Sequence, residues 1–347
     1  LGIEAMHGHY WMMLFSVACF ANMLGLNISA TFSSVVTIYI LIPLLLIPQL
    51  ILGGIVVKFD EVNPHLASQN RVPWVAELMA SRWAFEGLAV SQFRDNPFQK
   101  PFYEYDRRMA QAEYYKDYYC SALESVLSFC LNNLKVKNQK AKVAQEMLLL
   151  RNEFAFLQNN FEKLPFKAYE KLTVESFDFE TFEAGKAYLQ QVKNYHIAQY
   201  NAASDAKDAV IAQITATPEQ KAQFLELRNK FQNEALSAML RNHNDVKRVV
   251  EFQGRLVQKV YPIYQNPTPN TYWLDFQAHF FAPRKYLLGR LIDTFYFNLL
   301  AIWMMTLLLY ITLYYKIFER LLTKIGVSFE KIGFFNTKEV KTPKKKL

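Results

Sequence analysis

Two long stretches of the chain carry no Lys, Arg, Asp or Glu, and a densely charged segment separates them. The first stretch is Ala5–Val57 and the second is Thr294–Tyr315, while residues 58–293 are rich in charges. A helix needs about 20 apolar residues to cross the hydrocarbon core of a bilayer, which is about 30 Å thick. The second stretch therefore fits one crossing. The first fits two, with a polar turn expected near residues 25–34.

This pattern predicts an all-α membrane protein with three transmembrane helices, two of them before a large extracytoplasmic helical bundle and one after it. The predicted divisions are two membrane helices at about 9–26 and 35–57, a membrane-proximal outer segment at 58–101, an extracytoplasmic helical domain at 102–270, an outer lead-in at 271–293, a third membrane helix at 294–315 and a basic cytoplasmic tail at 316–347.

Apolar spacing within the helical domain predicts three long helices, at about 103–164, 182–214 and 217–260. The start of the third has a local signal. Thr217 stands at the N-cap position, Pro218 at the first helical position and Gln220 three residues after the cap, which is a capping box. We therefore expect a bundle of antiparallel helices outside the membrane.

The second predicted membrane helix contains residues that disturb a regular helix. Pro43 and Pro48 each remove a backbone hydrogen bond and predict kinks. Gly53 and Gly54 at its end permit a bend or the close approach of another helix. The helix is uncharged, and an ion path usually carries intramembrane charges. The pattern therefore favours a cavity for an apolar or amphipathic ligand.

The formal net charge of +8 lies mostly at the C-terminal end. From Lys316 onward nine basic residues stand against three glutamates, a net charge of +6. Short basic segments beside membrane helices lie on the cytoplasmic side. We therefore expect an integral protein of a bacterial inner membrane, with a cytoplasmic C-terminus and a periplasmic insert at 58–293. Nucleic-acid binding by Lys344–Lys346 is not expected, since membrane orientation already accounts for the charge.

The sequence offers little catalytic chemistry. It contains no GxxxxGK[ST] phosphate loop, no GxGxxG and no HExxH. His7 and His9 are two residues apart, so on a helix they point about 200° apart and do not share a metal. We predict that this chain is not itself an enzyme and holds no metal or cofactor.

Four short motifs resemble those of a known family, and the order and spacing of the motifs along the chain support the resemblance. They are Met23–Leu26, Ile42–Leu44, Ile51–Val57 and Met79–Leu88, the last reading MASRWAFEGL. With these, the stretch from about Trp11 to Glu86 resembles the membrane half of the G-subfamily (White/pleiotropic drug resistance) ATP-binding-cassette exporters. Arg82, Trp83 and Glu86 form the most specific part of that likeness.

The resemblance implies roles for several residues. The three spans would be the fourth to sixth helices of a permease, and two protomers would form one path through the membrane lipid. The implied sites are Ile47 and Leu50 in the substrate cavity and Ile55 and Val56 at the outer gate. ATP and Mg²⁺ would bind an ATP-binding-cassette domain outside this sequence. Because the chain begins at Leu1 without an initiator methionine or signal-peptide pattern, we expect that domain to lie upstream or on a separate subunit.

The large insert departs from the family pattern, in which the corresponding outer loop is short. Three functions therefore stay open. The first is ATP-driven export of an amphipathic or lipid-like substrate by alternating access. The second is a mechanotransducing permease that acts on a periplasmic partner. The third is a passive membrane anchor that presents a helical interaction domain.

Overall fold

The computed structural model describes residues 4–32, 34–56, 59, 71–161, 165–267, 272 and 276–331. Its helices in chain order are α1 (His7–Thr31), α2 (Val35–Ile51), α3 (Trp74–Glu77), α4 (Ala80–Arg94), α5 (Tyr103–Glu113), α6 (Cys120–Asn133), α7 (Lys140–Asn160), α8 (Phe179–Ile214), α9 (Pro218–Phe231), α10 (Glu234–Arg241), α11 (Thr294–Tyr314) and α12 (Ile317–Lys331). Four short strands are β1 (Val249–Phe252), β2 (Arg255–Gln258), β3 (Arg284–Leu287) and β4 (Arg290–Asp293).

Within the described residues, two helices are long and apolar enough to cross a membrane. They are α1, extended by a 3₁₀ turn to Glu4–Thr31, and α11. The apolar helix α2 has only 17 residues, which is about 25 Å of rise. It ends at Ile51, earlier than the predicted residue 57, because Gly54 adopts a left-handed φ of 83° that interrupts the helix.

The first helix also differs from its predicted bounds. It continues to Thr31 through the segment expected to break it. Asn27 is buried there and donates hydrogen bonds from Nδ2 to the Met23 carbonyl at 2.8 Å and the Leu309 carbonyl at 2.9 Å. Because both helices supply acceptors, the polar side chain is satisfied between them and α1 does not turn.

Contacts along the three apolar helices fix their relative directions. His9 of α1 contacts Phe295 of α11 with ring centroids 4.6 Å apart, and the two helices run parallel toward the Asn27–Leu309 contact. Gln49 near the end of α2 accepts a hydrogen bond from Ser81 Oγ at the start of α4, at 2.5 Å. The helix α2 therefore runs opposite to α1 and α11, and the insert starts where α2 ends.

The core of the insert is built from α6, α7 and α8. Leu127, Leu150, Phe154 and Leu189 are fully buried in one apolar cluster between these helices. The predicted helix 103–164 is interrupted after Asn133, because α6 and α7 bury their apolar faces in the same cluster, which requires the chain to turn back. One helical stretch from Tyr103 to Asn133 remains, with a π-helical turn at Tyr114–Tyr119.

Two antiparallel hairpins make the prediction of an all-α fold incomplete. Gln253 and Gly254, with φ of 52° and 69°, form the turn between β1 and β2. Leu288 and Gly289, with φ of 51° and 76°, form the turn between β3 and β4. Positive φ at both turn residues suits the twist of a two-residue hairpin. The signal was a glycine closing each turn between strand-forming residues.

The first hairpin lies where the third insert helix was predicted to continue. The capping box at its start is present, with the Gln220 N–H donating to Thr217 Oγ1 at 3.2 Å and the Thr217 N–H donating to Gln220 Oε1 at 3.1 Å. The helix ends at Phe231, however, and α10 starts anew with Asn233 as its N-cap. The predicted bounds 217–260 therefore contain two helices and a hairpin.

Candidate functional site

The predicted cavity residues lie on a helix that the rest of the chain leaves largely uncovered. Ile47 and Leu50 are three residues apart, so they share one face of α2, and their side chains are 53% and 66% exposed. None of the residues of α2 is buried, and the helix continues through Pro43 and Pro48. A surface that is apolar all round is stable only against lipid or another chain.

The predicted glycines let the insert approach the end of α2. A Cβ atom on Gly54 would lie 2.4 Å from Cζ of Phe280, and one on Gly53 would lie 3.0 Å from the Gln49 carbonyl oxygen. The Phe280 ring therefore lies directly against Gly54. Only glycine fits this position, since its φ is also left-handed.

The predicted gate residues follow these glycines and differ from each other in surroundings. Ile55 and Val56 are 61% and 71% exposed. Ile55 lines a cavity of about 340 Å³ between the end of α2 and the insert, and Val56 does not line it. We call this the α2 cavity; its other lining residues include Gly54, Phe59, Met239, His279, Phe280 and Phe281.

The α2 cavity has an aromatic wall with one partly buried imidazole. Phe280 contacts Phe59 with ring centroids 4.8 Å apart and Phe281 with centroids 4.0 Å apart. His279 Nε2 is 2.9 Å from the Pro262 carbonyl oxygen. Burial lowers the pKa of His279 below its ordinary value, so the ring is neutral at physiological pH. The cavity thus combines this aromatic wall with a polar lining that includes Arg71, Asp245 and Lys259.

The predicted outer motif forms a buried cluster of charges on α4. Glu86 and Arg82 are one helical turn apart, with Arg82 Nη1 3.5 Å from Glu86 Oε2. Lys285 of β3 places Nζ 2.5 Å from the same oxygen, and Glu77 is 3.2 Å from Arg82 Nη1. Arg82, Glu86 and Lys285 are at most 1% exposed. Two acidic and two basic groups therefore balance in the interior.

Neutral groups complete the shell around Glu86. Asn298 of α11 donates to Glu86 Oε2 at 3.0 Å and to the Trp83 carbonyl at 2.8 Å, and the Phe281 N–H donates to Glu86 Oε1 at 3.2 Å. The indole ring of Trp83 lies under the cations, 4.0 Å from the Arg82 guanidinium and 4.6 Å from Lys285 Nζ. The cluster thus joins α4, β3 and the start of α11.

The pKa values in the cluster follow from burial opposed by neighbouring charge. Burial raises the pKa of Glu86, but the charges of Arg82 and Lys285 outweigh it and hold the pKa below its usual value. Burial and the nearby Arg82 lower the pKa of Lys285 to about 8, against the attraction of Glu86. Both groups are charged at neutral pH. The cluster therefore holds neighbouring elements together, and the loss of any of its charged side chains should destabilise the fold.

A second ion pair links α4 of the insert to the start of α11. Arg94 at the end of α4 binds Asp293 at 2.6 Å, just before the first residue of α11, and donates to the Pro283 carbonyl at 2.9 Å. Sequence reasoning missed Lys285, Asn298 and Asp293 because they lie about 200 residues from their partners. The only local signal was a lysine in the aromatic Phe280–Lys285 segment.

Comparison with known families covers the first part of the chain. Residues 1–93 of the 347 match the family model described as ABC-2 type transporter. This match includes α1, α2, α3 and most of α4, so it ends within the insert at 58–293 and leaves most of the insert unmatched. No curated protein and no solved structure matches the chain. The match and the apolar helices support an integral membrane protein whose N-terminal part is similar to the membrane permease component of ABC transporters.

Proposed function

We propose that this chain is the permease portion of an ATP-driven exporter of the G-subfamily type, which moves an amphipathic or lipid-like substrate by alternating access. The observation that carries the proposal is the exposed apolar face of α2 and the cavity of mixed apolar and polar lining at its end. Ile47 and Leu50 expose an uncharged face on α2, and Ile55 lines the cavity at its end. Such a route suits a molecule that leaves the bilayer with its apolar part shielded.

The same observation supports a paired assembly. If the exposed apolar residues of α2 line a substrate path, a second protein surface must form the other wall of that path. We therefore propose a homodimer or a pair of half-transporters. ATP and Mg²⁺ would be bound by an ATP-binding-cassette domain upstream or on a separate subunit. The basic tail from Lys316 would be cytoplasmic, and the insert periplasmic in a bacterial inner membrane.

The gate is tested by shortening its side chains. The double variant Ile55→Ala/Val56→Ala should raise basal ATPase activity or substrate leak in the assembled transporter, because a smaller barrier remains beside the α2 cavity. Val36→Ala, at the opposite end of α2 and 69% exposed, is the matched control. Equal activity of the double variant and the control in correctly inserted protein would refute the assignment of the gate.

Transport itself is tested with the full assembly in inverted vesicles. A fluorescent phospholipid analogue should stimulate ATP hydrolysis and accumulate in the vesicle lumen or inner leaflet when ATP is present. A Walker-motif variant of the ATPase partner is the control and should abolish accumulation. Hydrolysis that is stimulated without any flux would contradict export.

A mechanotransducing permease is the second candidate, and the ion pairs and hydrogen bonds between α11 and the insert favour it. Arg94 pairs with Asp293, the residue before α11, and Asn298 of α11 donates a hydrogen bond to Glu86, which pairs with Lys285 of β3. Movement of α11 during an ATP cycle would then be passed to the insert and to a periplasmic partner. ATP-dependent change in distance between spin labels on α8 and α11, without lipid flux, would favour this function over export.

A further inference from the structure

A second cavity lies within the insert, away from the end of α2. It has a volume of about 360 Å³ and is enclosed by the end of α4, the start of α5 and the helices α8, α9 and α10. Pockets that hold small ligands usually have volumes of about 300–1,000 Å³. We call it the α9 cavity. Its size admits a ligand of moderate length.

One wall of the α9 cavity is aromatic. The rings of Phe98, Phe102 and Phe224 form a triad with centroids 5.4 to 6.1 Å apart. Phe231 and Leu236 extend this wall toward the junction of α9 and α10. The wall is contributed by segments more than a hundred residues apart in sequence. It provides a continuous apolar surface for a hydrocarbon chain or ring.

The remaining lining carries an excess of positive charge. Lys207, Arg228 and Arg241 line the cavity with a single carboxylate, Asp106. Asp106 is already paired with Lys207 Nζ at 2.6 Å and accepts a hydrogen bond from Gln99 Nε2 at 2.6 Å. Arg241 lies farther from it, at 3.9 Å. Among the described residues no ion pair with Arg228 is found, and the Arg241 guanidinium lies 5.6 Å from the Phe93 ring and 5.7 Å from the Tyr264 ring. Both guanidinium groups can therefore meet an anion in the cavity.

Contacts place the α9 cavity beside the start of α1. Gln92, which lines the cavity, accepts a hydrogen bond from Tyr10 Oη at 2.6 Å. On the other side, Lys230 of α9 binds Glu4 at 2.5 Å, just before α1. The cavity thus lies beside the first residues of the candidate membrane span Glu4–Thr31.

We propose that the α9 cavity binds an amphiphile with one acidic head group, such as a fatty acid or an alkyl phosphate. The phenylalanine triad holds the apolar part, and Arg228 and Arg241 bind the anion. An arginine guanidinium presents several donors in a planar fork that matches carboxylate and phosphate oxygens. This site is separate from the α2 cavity, so its existence does not depend on the transport proposal.

Binding is measured on the full chain in phosphatidylcholine nanodiscs, with dansyl-labelled undecanoic acid as the probe and empty nanodiscs as the blank. Dodecyl phosphate should displace the probe, whereas dodecanol and inorganic phosphate should do so poorly. Equal competition by dodecanol would overturn the requirement for an acid. Equal competition by inorganic phosphate would overturn the requirement for an apolar part.

Variants locate the site. Arg228→Gln and Arg241→Gln should each raise the Kd for the probe by about tenfold or more, since a hydrogen bond to a charged group contributes at least about 1.5 kcal/mol. Lys221→Gln, exposed on α9 and outside the cavity, is the matched control and should leave the Kd unchanged.

A filling variant tests the apolar wall without removing a charge. Ser237 lines the cavity, and Ser237→Trp should abolish probe binding while circular dichroism and gel filtration stay as in the parent chain. Unchanged Kd values in both arginine variants, or full binding by a folded Ser237→Trp chain, would overturn the proposal.

Discussion

Removal of Lys285 tests whether the buried charges hold α4, β3 and α11 together. Lys285→Met deletes the ammonium 2.5 Å from Glu86 Oε2 and keeps a similar volume. Glu86 is then left fully buried with Arg82 at 3.5 Å and neutral donors. Removal of one partner of a buried ion pair destabilises a protein by about 3–5 kcal/mol. Because Arg82 remains as a counterion of Glu86, we expect a loss near the lower end of that range.

The second change separates this effect from a loss of packing. In the double variant Glu86→Gln/Lys285→Met, no carboxylate remains opposite the missing lysine. We expect the double variant to be less destabilised than the sum of the two single variants, with a coupling free energy of about 1–3 kcal/mol. Arg284→Met is the matched control, because Arg284 is exposed and adjacent on the same strand.

The assay is equilibrium unfolding of the full chain in mixed micelles, followed by tryptophan fluorescence. Arg284→Met should stay within about 0.5 kcal/mol of the parent free energy of unfolding. Additive single and double variants, with a coupling below about 0.5 kcal/mol, would refute the view that Lys285 and Glu86 act as one pair.

Three further variants test other parts of the fold. Gly54→Ala should reduce the yield of folded protein in detergent gel filtration, because its Cβ meets Phe280 at 2.4 Å and its φ is left-handed; an unchanged yield would refute this close approach. Asn27→Leu should lower the free energy of unfolding by about 0.6–2 kcal/mol through loss of the bond to Leu309, and no loss in micelles would show that the bond contributes nothing. Burial lowers the pKa of His196 to about 4 in the folded chain, against an ordinary histidine pKa of about 6.5. Between pH 6.5 and pH 4 the unfolded chain therefore binds a proton that the folded chain does not. The free energy of unfolding should fall by about 1.4 kcal/mol for each pH unit by which the pH drops in this range. His196→Phe should reduce that slope in unfolding curves at pH 7.5 and 5, and an equal slope in both proteins would contradict the assignment.

Sequence patterns correctly predicted those elements that are stabilised by residues close together in the sequence. The uncharged runs identified α1 and α11 because a membrane helix needs only continuous apolar residues. The capping box marked the start of α9 because its two hydrogen bonds join residues three apart. The G-subfamily assignment, the gate and the cavity roles of α2 stay predictions.

Element ends were less predictable because contacts from distant segments decide them. The predicted break near Asn27 is absent because Leu309 accepts its hydrogen bond. The predicted helices 103–164 and 217–260 are divided because their apolar residues bury in shared clusters only if the chain turns. The place where the chain turns depends on the third partner, α8, which lies outside the first window.

The candidate sites show the same division. The sequence determined that Arg82 and Glu86 lie on one helix face, since four residues are one turn. Only the tertiary structure decided that Lys285 and Asn298 contact Glu86. It also decided that the ring of Phe280 packs directly against Gly54. The physical reason is that a buried charge must be neutralised by whatever the fold brings near it, and here that is chain some 200 residues away.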